Sequence, residues 1–222
     1  MTPDDFIDAL AGLRFNNVFN PYADACVDHD APGASAIRRT NLRLVLEAAI
    51  AGGVDSIWIA RDLGYRGGRR TGLALTDEVH LAAHAGLYGR LPLARATRGP
   101  AMAERTATVI WDVLTRIERP IFLWNVFPLH PHEPNDPLSN RCHTRAERQA
   151  SWHLLQWILS VLQPRTLVAI GRDAEAALAD FGVHAEKARH PSYGGQTDFV
   201  SKMRSIYSLR PSVASGVQLS FS

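Results

Sequence analysis

The sequence contains little cysteine, and this scarcity excludes several kinds of metal site. Only two cysteines, Cys26 and Cys142, occur among its 222 residues. An all-cysteine zinc or iron–sulfur site needs four thiolates, so this class of protein is excluded. Two cysteines so far apart in a chain are most simply free thiols in a reducing compartment.

Excess charge and long apolar runs are also lacking. The formal net charge is only +2, which does not by itself indicate a nucleic-acid partner. No apolar stretch approaches the length of a membrane span, and residues 1–13 lack the basic start and apolar run of an export signal. We therefore expect a cytoplasmic protein that makes no membrane contact. Its length and its 46% apolar content are typical of a single folded domain over residues 1–222.

The usual sequence signatures of cofactor and metal binding are missing as well. The glycines form neither a dinucleotide-binding fingerprint nor a phosphate-binding P-loop. One loop is rich in possible zinc ligands, but their spacing matches no known zinc pattern; they are His130, His132, Glu133 and His143. His80 and His84 are one helical turn apart without the glutamate of a metalloprotease motif. We therefore expect no metal and no cofactor.

What the sequence does contain is an alternation of strand and helix patterns. Short apolar runs predict strands at residues 54–60, 121–127, 166–170 and 183–187. Helical spacing of apolar residues predicts helices at residues 3–13, 40–51, 102–117, 145–162, 172–181 and 198–207. This alternation predicts an α/β fold, a three-layer α/β/α sandwich around a four-stranded parallel sheet. Residues 1–53 form helices and a loop before it, and residues 210–222 are expected to fray.

Three loops follow the carboxyl ends of predicted strands, at residues 61–71, 128–143 and 189–196. Ligands of open parallel sheets bind at this edge, so we expect the three loops to meet at one site. The first loop holds one carboxylate, Asp62, and four arginines. Arginines beside flexible glycines suit phosphate groups, although a solvated basic turn is the alternative.

Two further polar residues stand at the ends of apolar segments. Asn125 lies inside the second strand, where its side-chain amide offers an acceptor and two donors for reading a base edge. His190 lies in the third loop, where it could donate a hydrogen bond to a leaving group. Taken singly, Asn125 could equally satisfy loop backbone, and His190 could equally be structural.

Taken together, these residues resemble the motifs of the uracil-DNA glycosylase superfamily. Asp62 follows a strand and precedes Gly72-Leu73 by ten residues (72 − 62), as the catalytic aspartate of the family's first motif does. The strand end Leu123-Trp124-Asn125-Val126 resembles the uracil-reading motif, and His190-Pro191-Ser192 resembles the last motif. The motifs occur in the family's order, over residues 54–199.

The resemblance implies an enzyme that flips uracil out of DNA and hydrolyses its glycosidic bond. It implies that Asp62 stabilises the sugar cation and orients water, and that His190 stabilises the departing base. Uracil contacts are expected from Asn125, Leu75, Tyr65 and Gly64. DNA contacts are expected from Arg66, Arg69, Arg70, Thr106, Ser192, Tyr193 and Gln196. The expected partners are single- or double-stranded uracil-containing DNA and its abasic product, bound by a monomer.

The sequence departs from the family pattern at three positions. Leu75 stands where an aromatic residue stacks on uracil, and Gly64 stands where a tyrosine excludes thymine. Gly194 replaces the leucine that wedges into the DNA, so Tyr193 or Gln196 would have to fill the gap. Two alternatives therefore stay open: a catalytically weak protein that binds uracil or abasic DNA, and a hydrolase of free nucleosides.

Overall fold

The computed structural model describes residues 1–192 and 194–210. Its strands are β1 (Val18–Phe19), β2 (Ser56–Asp62), β3 (Ile121–Phe127), β4 (His130–Pro131), β5 (Thr166–Ile170) and β6 (Glu186–Ala188). Its helices are α1 (Pro3–Gly12), α2 (Ala34–Gly52), α3 (Gly68–Thr71), α4 (Leu81–Gly86), α5 (Arg105–Leu114), α6 (Arg145–Leu162), α7 (Arg172–Ala179) and α8 (Gln196–Tyr207).

The centre of the fold is a four-stranded parallel sheet in the order β3-β2-β5-β6. Apolar side chains pack on both of its faces. One layer takes residues from α1, α2, α6 and α7, and the other takes residues from α5 and α8. All seven residues of β3 are buried, which explains why this strand reads as a continuous apolar run. The predicted three-layer sandwich with four parallel strands is confirmed.

Of the helices described, α1 and α6 begin with a side-chain cap. The Thr144 side chain accepts from the Glu147 backbone, and the Glu147 carboxylate accepts from the Thr144 backbone, so α6 begins with a capping box. The prediction for α2 is wrong at its start, because the helix begins at Ala34 rather than at residue 40. Arg38 and Asn41 are buried on its inner face, and these polar residues interrupt the apolar spacing.

Other differences involve short elements. The last strand lies at Glu186–Ala188, later than the predicted residues 183–187. The helices α3 and α4 are too short to show an apolar period, and they were not predicted. Residues 211–222, which hold nearly all of the expected frayed tail, lie outside the described residues. Within the described ranges, no helix is both long and apolar enough to span a membrane.

Candidate active site

A cavity of about 1000 Å³ opens at the carboxyl edge of the sheet. All three predicted loops contribute to its wall. Asp62 ends β2 and Gly64 lies in the loop that follows, the loop after β4 provides Asn140, and the segment after β6 provides His190 and Ser192. The prediction that these loops meet at one site is confirmed. The arrangement follows from parallel strands ending at a common edge.

Asp62 is held by two donors from different parts of the chain. Its side chain is only 6% exposed. One oxygen, Oδ2, accepts from Arg61 Nε at 2.6 Å, and the other, Oδ1, contacts His143 Nδ1 directly. Arg61 also donates to Asp173 at 2.8 Å. The two contacts fix the orientation of the carboxylate, and the role of His143 was missed because its loop suggested only a zinc cluster.

Cys142 lies beside this pair. One ligand atom each of Asp62, Cys142 and His143 lies within 4.8 Å of the others, a spacing that a metal ion could use. The direct contact between Asp62 and His143 already occupies an oxygen and a nitrogen that an ion would need. Burial raises the pKa of the Cys142 thiol, which disfavours the thiolate that binds metals. A site without metal therefore stays a prediction.

His190 is half-buried and carries a defined hydrogen-bond pattern. Its Nδ1 lies 2.7 Å from Ser192 Oγ, and the Ser192 backbone N–H donates to the same nitrogen at 3.3 Å. An Nδ1 that accepts leaves the proton of the neutral ring on Nε2. Burial, followed by the charge of Arg61, lowers the pKa of His190, so the ring is neutral at pH 7. His190 is thus a neutral Nε2–H donor on the cavity wall.

Two glycines set the position of this histidine. Gly171 ends β5 with a φ of +92°, and a β-carbon there would lie 3.3 Å from His190 Cβ. A β-carbon on Gly195 would lie 2.0 Å from the His190 carbonyl oxygen. Side chains at these positions would displace the loop, so the glycines allow the close approach that places His190.

Asn125 lies beneath the cavity wall. It pairs in register with Ala60, which lines the cavity. Alternation along β3 turns its side chain to the same face as Leu123. The residue is 1% exposed, and its Oδ1 has no hydrogen-bond partner within the described part of the chain. The structure therefore leaves an unused buried acceptor next to the site but does not place Asn125 on the open wall.

The predicted uracil contacts other than Asn125 divide into two groups. Leu75 and Gly64 line the cavity. Leu75 has a φ of +55°, an uncommon conformation for leucine. Tyr65 is not on the cavity wall described here; its backbone N–H donates to Asn140 Oδ1, and its hydroxyl accepts from Arg66 Nε at 2.8 Å. The structure thus does not place Tyr65 at the position of the missing thymine-excluding tyrosine.

The arginines of the first loop require a correction. Arg66 is exposed, but Arg69 and Arg70 are only 2% and 5% exposed. The Arg69 guanidinium lies 4.0 Å from the centre of the Phe19 ring, and Arg70 Nε donates to Glu78 at 3.0 Å. In this arrangement neither guanidinium can reach a phosphate, so their assignment as DNA contacts is withdrawn.

The buried face of this loop is tied to the N-terminal segment. Besides the Arg69–Phe19 contact, the Tyr22 hydroxyl donates to the Gly72 carbonyl oxygen at 2.8 Å. Arg38 Nε donates to the Arg70 carbonyl oxygen at 3.0 Å, and Arg38 forms a buried ion pair with Asp30. These contacts hold the loop that follows Asp62 from below.

Exposed cations and polar groups surround the cavity instead. Arg172, Lys187 and Arg189 line it, and all three are exposed. They were not predicted, because in the sequence they are ordinary surface residues. A smaller cavity of about 540 Å³ adjoins the first, and Thr106, Ser192 and Gln196 line it. Tyr193, the remaining predicted DNA contact, lies outside the described residues.

Comparison with known proteins supports the fold. Neither a family model nor a curated protein sequence matches the chain. The crystal structure of SMUG2 from Pedobacter heparinus matches it with a TM-score of 0.62 and 14% identity, over 93% of this chain and 96% of that chain. At this identity the likeness concerns the fold, which is of the uracil-DNA glycosylase type, as the motifs predicted.

Proposed function

We propose that the protein is a DNA glycosylase that removes uracil and leaves an abasic site. The observation that carries the proposal is that one cavity holds a fixed carboxylate, Asp62, and a neutral histidine donor, His190. The three motifs and the fold shared with SMUG2, a member of the uracil-DNA glycosylase superfamily, support the same conclusion.

The chemistry requires charges of opposite sign to be stabilised at two positions. When the bond between C1′ and N1 breaks, the electron pair leaves with uracil and the sugar becomes a cation. The Asp62 carboxylate stabilises that cation and orients the water whose oxygen bonds to C1′. The proton that this water loses neutralises the departing uracil anion. The His190 Nε2–H donates to O2 of uracil, which gains negative charge as the base departs. Electrostatic help of this kind is typically worth about 3 kcal/mol for each donor.

DNA binding in this proposal uses the exposed residues around the two cavities. Arg66, Arg172 and Arg189 are exposed cations near the site. Thr106, Ser192 and Gln196 provide hydroxyl and amide groups for the phosphates. The unused Oδ1 of Asn125 supports its proposed role of reading the base, provided that the wall above it opens when DNA binds.

The decisive experiment measures single-turnover excision from an end-labelled oligonucleotide with one uracil, followed by alkaline cleavage. Wild type should cut, while Asp62→Asn and His190→Ala should each lose about 100-fold or more. Both variants should keep their affinity for DNA. If the wild type binds uracil or abasic DNA but does not cut it, the proposed enzyme activity is refuted and a binding protein is favoured. That alternative is supported by Leu75, a half-buried residue that stands in place of an aromatic platform.

Salt dependence separates the proposal from a hydrolase of free nucleosides. Binding through several phosphates weakens steeply as salt rises, with a slope of about 0.7 to 0.9 for each contact. A free nucleoside carries no phosphate, so its hydrolysis would depend little on salt. We expect a steep salt dependence whose slope falls in Arg66→Ala by the amount of one phosphate contact. A flat salt dependence would favour the nucleoside hydrolase.

A further inference from the structure

The carboxyl group of Glu104 lies over the glycines of the first loop. Glu104 immediately precedes α5 and lines the large cavity. A β-carbon built on Gly64 would lie 2.8 Å from its Oε1, and one built on Gly67 would lie 2.2 Å from its Oε2. The carboxyl group therefore occupies the space that side chains at these positions would fill.

This carboxyl group has no structural task that the described residues reveal. It forms no hydrogen bond or ion pair within residues 1–192 and 194–210, and it does not cap α5. Only the backbone of Glu104 is engaged: its N–H donates to Asp77 Oδ2 at 2.6 Å, and its carbonyl oxygen accepts from the backbone N–H and the hydroxyl of Thr108. Burying an unpaired charge is costly, so a half-buried carboxyl without a partner indicates a protonated group or one that meets a ligand.

The charges that face Glu104 favour the protonated form. Burial, followed by the charge of the Asp77 carboxylate, which is paired with His80, raises the pKa of Glu104 to about 7. Arg66, whose guanidinium is engaged by Tyr65, acts in the opposite direction. The neutral acid is therefore well populated up to neutral pH, and it is lost as the pH rises above about 7.

The location of the carboxyl group relates it to the base. Gly64 lies two residues after Asp62, and both line the same cavity as Leu75 and Glu104. A base whose sugar lies against Asp62 must occupy that cavity. We propose that Glu104 reads the exocyclic group of the flipped base. Its protonated carboxyl group donates a hydrogen bond to O4 of uracil, the carbonyl oxygen that cytosine replaces with an amino group. This inference rests on the proposed function and names the group that selects the substrate.

The protonation state then decides which base is preferred. A neutral carboxyl donates to the carbonyl oxygen of uracil, whereas a carboxylate repels that oxygen and accepts from the amino group of cytosine. Discrimination in favour of uracil should therefore be present below the pKa of Glu104 and decline above it. Glutamine at this position would keep an N–H donor at every pH.

The test measures binding rather than cutting. Oligonucleotides with one 2′-fluoro-2′-deoxyuridine or one 2′-fluoro-2′-deoxycytidine resist hydrolysis, and their affinities are compared by fluorescence anisotropy at constant ionic strength. For the wild type, the preference for the uridine analogue should fall about tenfold between about pH 6 and pH 8.5. In Glu104→Gln it should stay constant. Glu118→Gln, which removes an exposed carboxylate, should behave like the wild type.

The outcomes separate this inference from the proposed function. A wild-type preference that does not change with pH, an equal fall in Glu104→Gln, or no preference at all would overturn the role of Glu104. Melting temperatures of the variants establish that they are folded. If the wild type shows the pH-dependent preference but excises no uracil in the single-turnover assay, the proposed enzyme fails while the reading of the base by Glu104 stands.

Discussion

Removal of the His143 imidazole should slow excision without weakening DNA binding. His143 contacts Asp62 Oδ1 directly, and its side chain is 3% exposed. In His143→Ala this oxygen would lose a buried donor, and the carboxylate would keep only Arg61. We expect the single-turnover rate to fall and the affinity for a non-cleavable uracil analogue to stay the same, because His143 acts through Asp62.

The size of the effect follows from the burial of the contact. A hydrogen bond to a charged group contributes about 1.5 to 3 kcal/mol, and each 1.36 kcal/mol of barrier changes a rate about tenfold. The Asp62–His143 contact is nearly excluded from water, whereas Arg61 is 37% exposed. Water therefore should not replace most of the stabilisation that Asp62 loses with His143. A fall of about 10- to 100-fold is expected.

Two matched variants test the reason for this loss. Asparagine carries an N–H donor on Cγ, as the imidazole Nδ1 does, so His143→Asn should recover part of the rate. His153→Ala removes an exposed histidine of α6 and should leave the rate unchanged. If His143→Ala cuts as fast as the wild type, or if His143→Asn is as slow as His143→Ala at equal melting temperature, Asp62 does not depend on this donor.

Two further predictions concern the loops around the site. Arg70→Met should lower the free energy of unfolding by about 1.5 to 3 kcal/mol, because the buried Glu78 carboxylate loses its nearest cation and keeps only Thr97, the Met102 backbone N–H and the more distant Arg95. The salt dependence of DNA binding should stay unchanged. Chemical denaturation and salt titration check both expectations, and a stable variant with a smaller salt slope would restore Arg70 as a phosphate contact. Gly195→Ala should slow excision about 100-fold, because the added β-carbon displaces His190. Gly12→Ala, whose β-carbon meets open space, should leave the rate unchanged. Equal, normal rates for the two variants would contradict this prediction.

The sheet and the meeting of its loops could be predicted because they depend on patterns within short segments. Apolar runs identify strands, alternation with helices makes the strands parallel, and parallel strands end at one edge. The same local reasoning placed Asp62 and His190 on one cavity. It could not show that Asp62 contacts His143, because His143 lies in a loop and loops lack the hydrophobic periodicity from which helices and strands are predicted.

The arginines show most clearly where sequence reasoning fails. Arg66, Arg69 and Arg70 look alike in the sequence, yet only Arg66 faces solvent. Burial of a guanidinium is tolerable only when partners surround it, and these partners, Phe19 and Glu78, lie in other segments. Glu104 was missed for a related reason, because its significance comes from facing two glycines of another loop.

The ties between the N-terminal segment and the first loop bear on any attempt to shorten this protein. Residues 1–53 carry none of the motifs, and by motif content alone a shortened chain could begin at β2. Yet the loop after Asp62 is held in place by its contacts with Phe19, Tyr22 and Arg38. A truncated chain would lose the ring beneath the Arg69 guanidinium and the donor to the Arg70 carbonyl oxygen. The loop that lines the pocket would then lose its support. Leu75, which lines the cavity and makes none of these contacts, is where a redesign of base preference can be made without disturbing them.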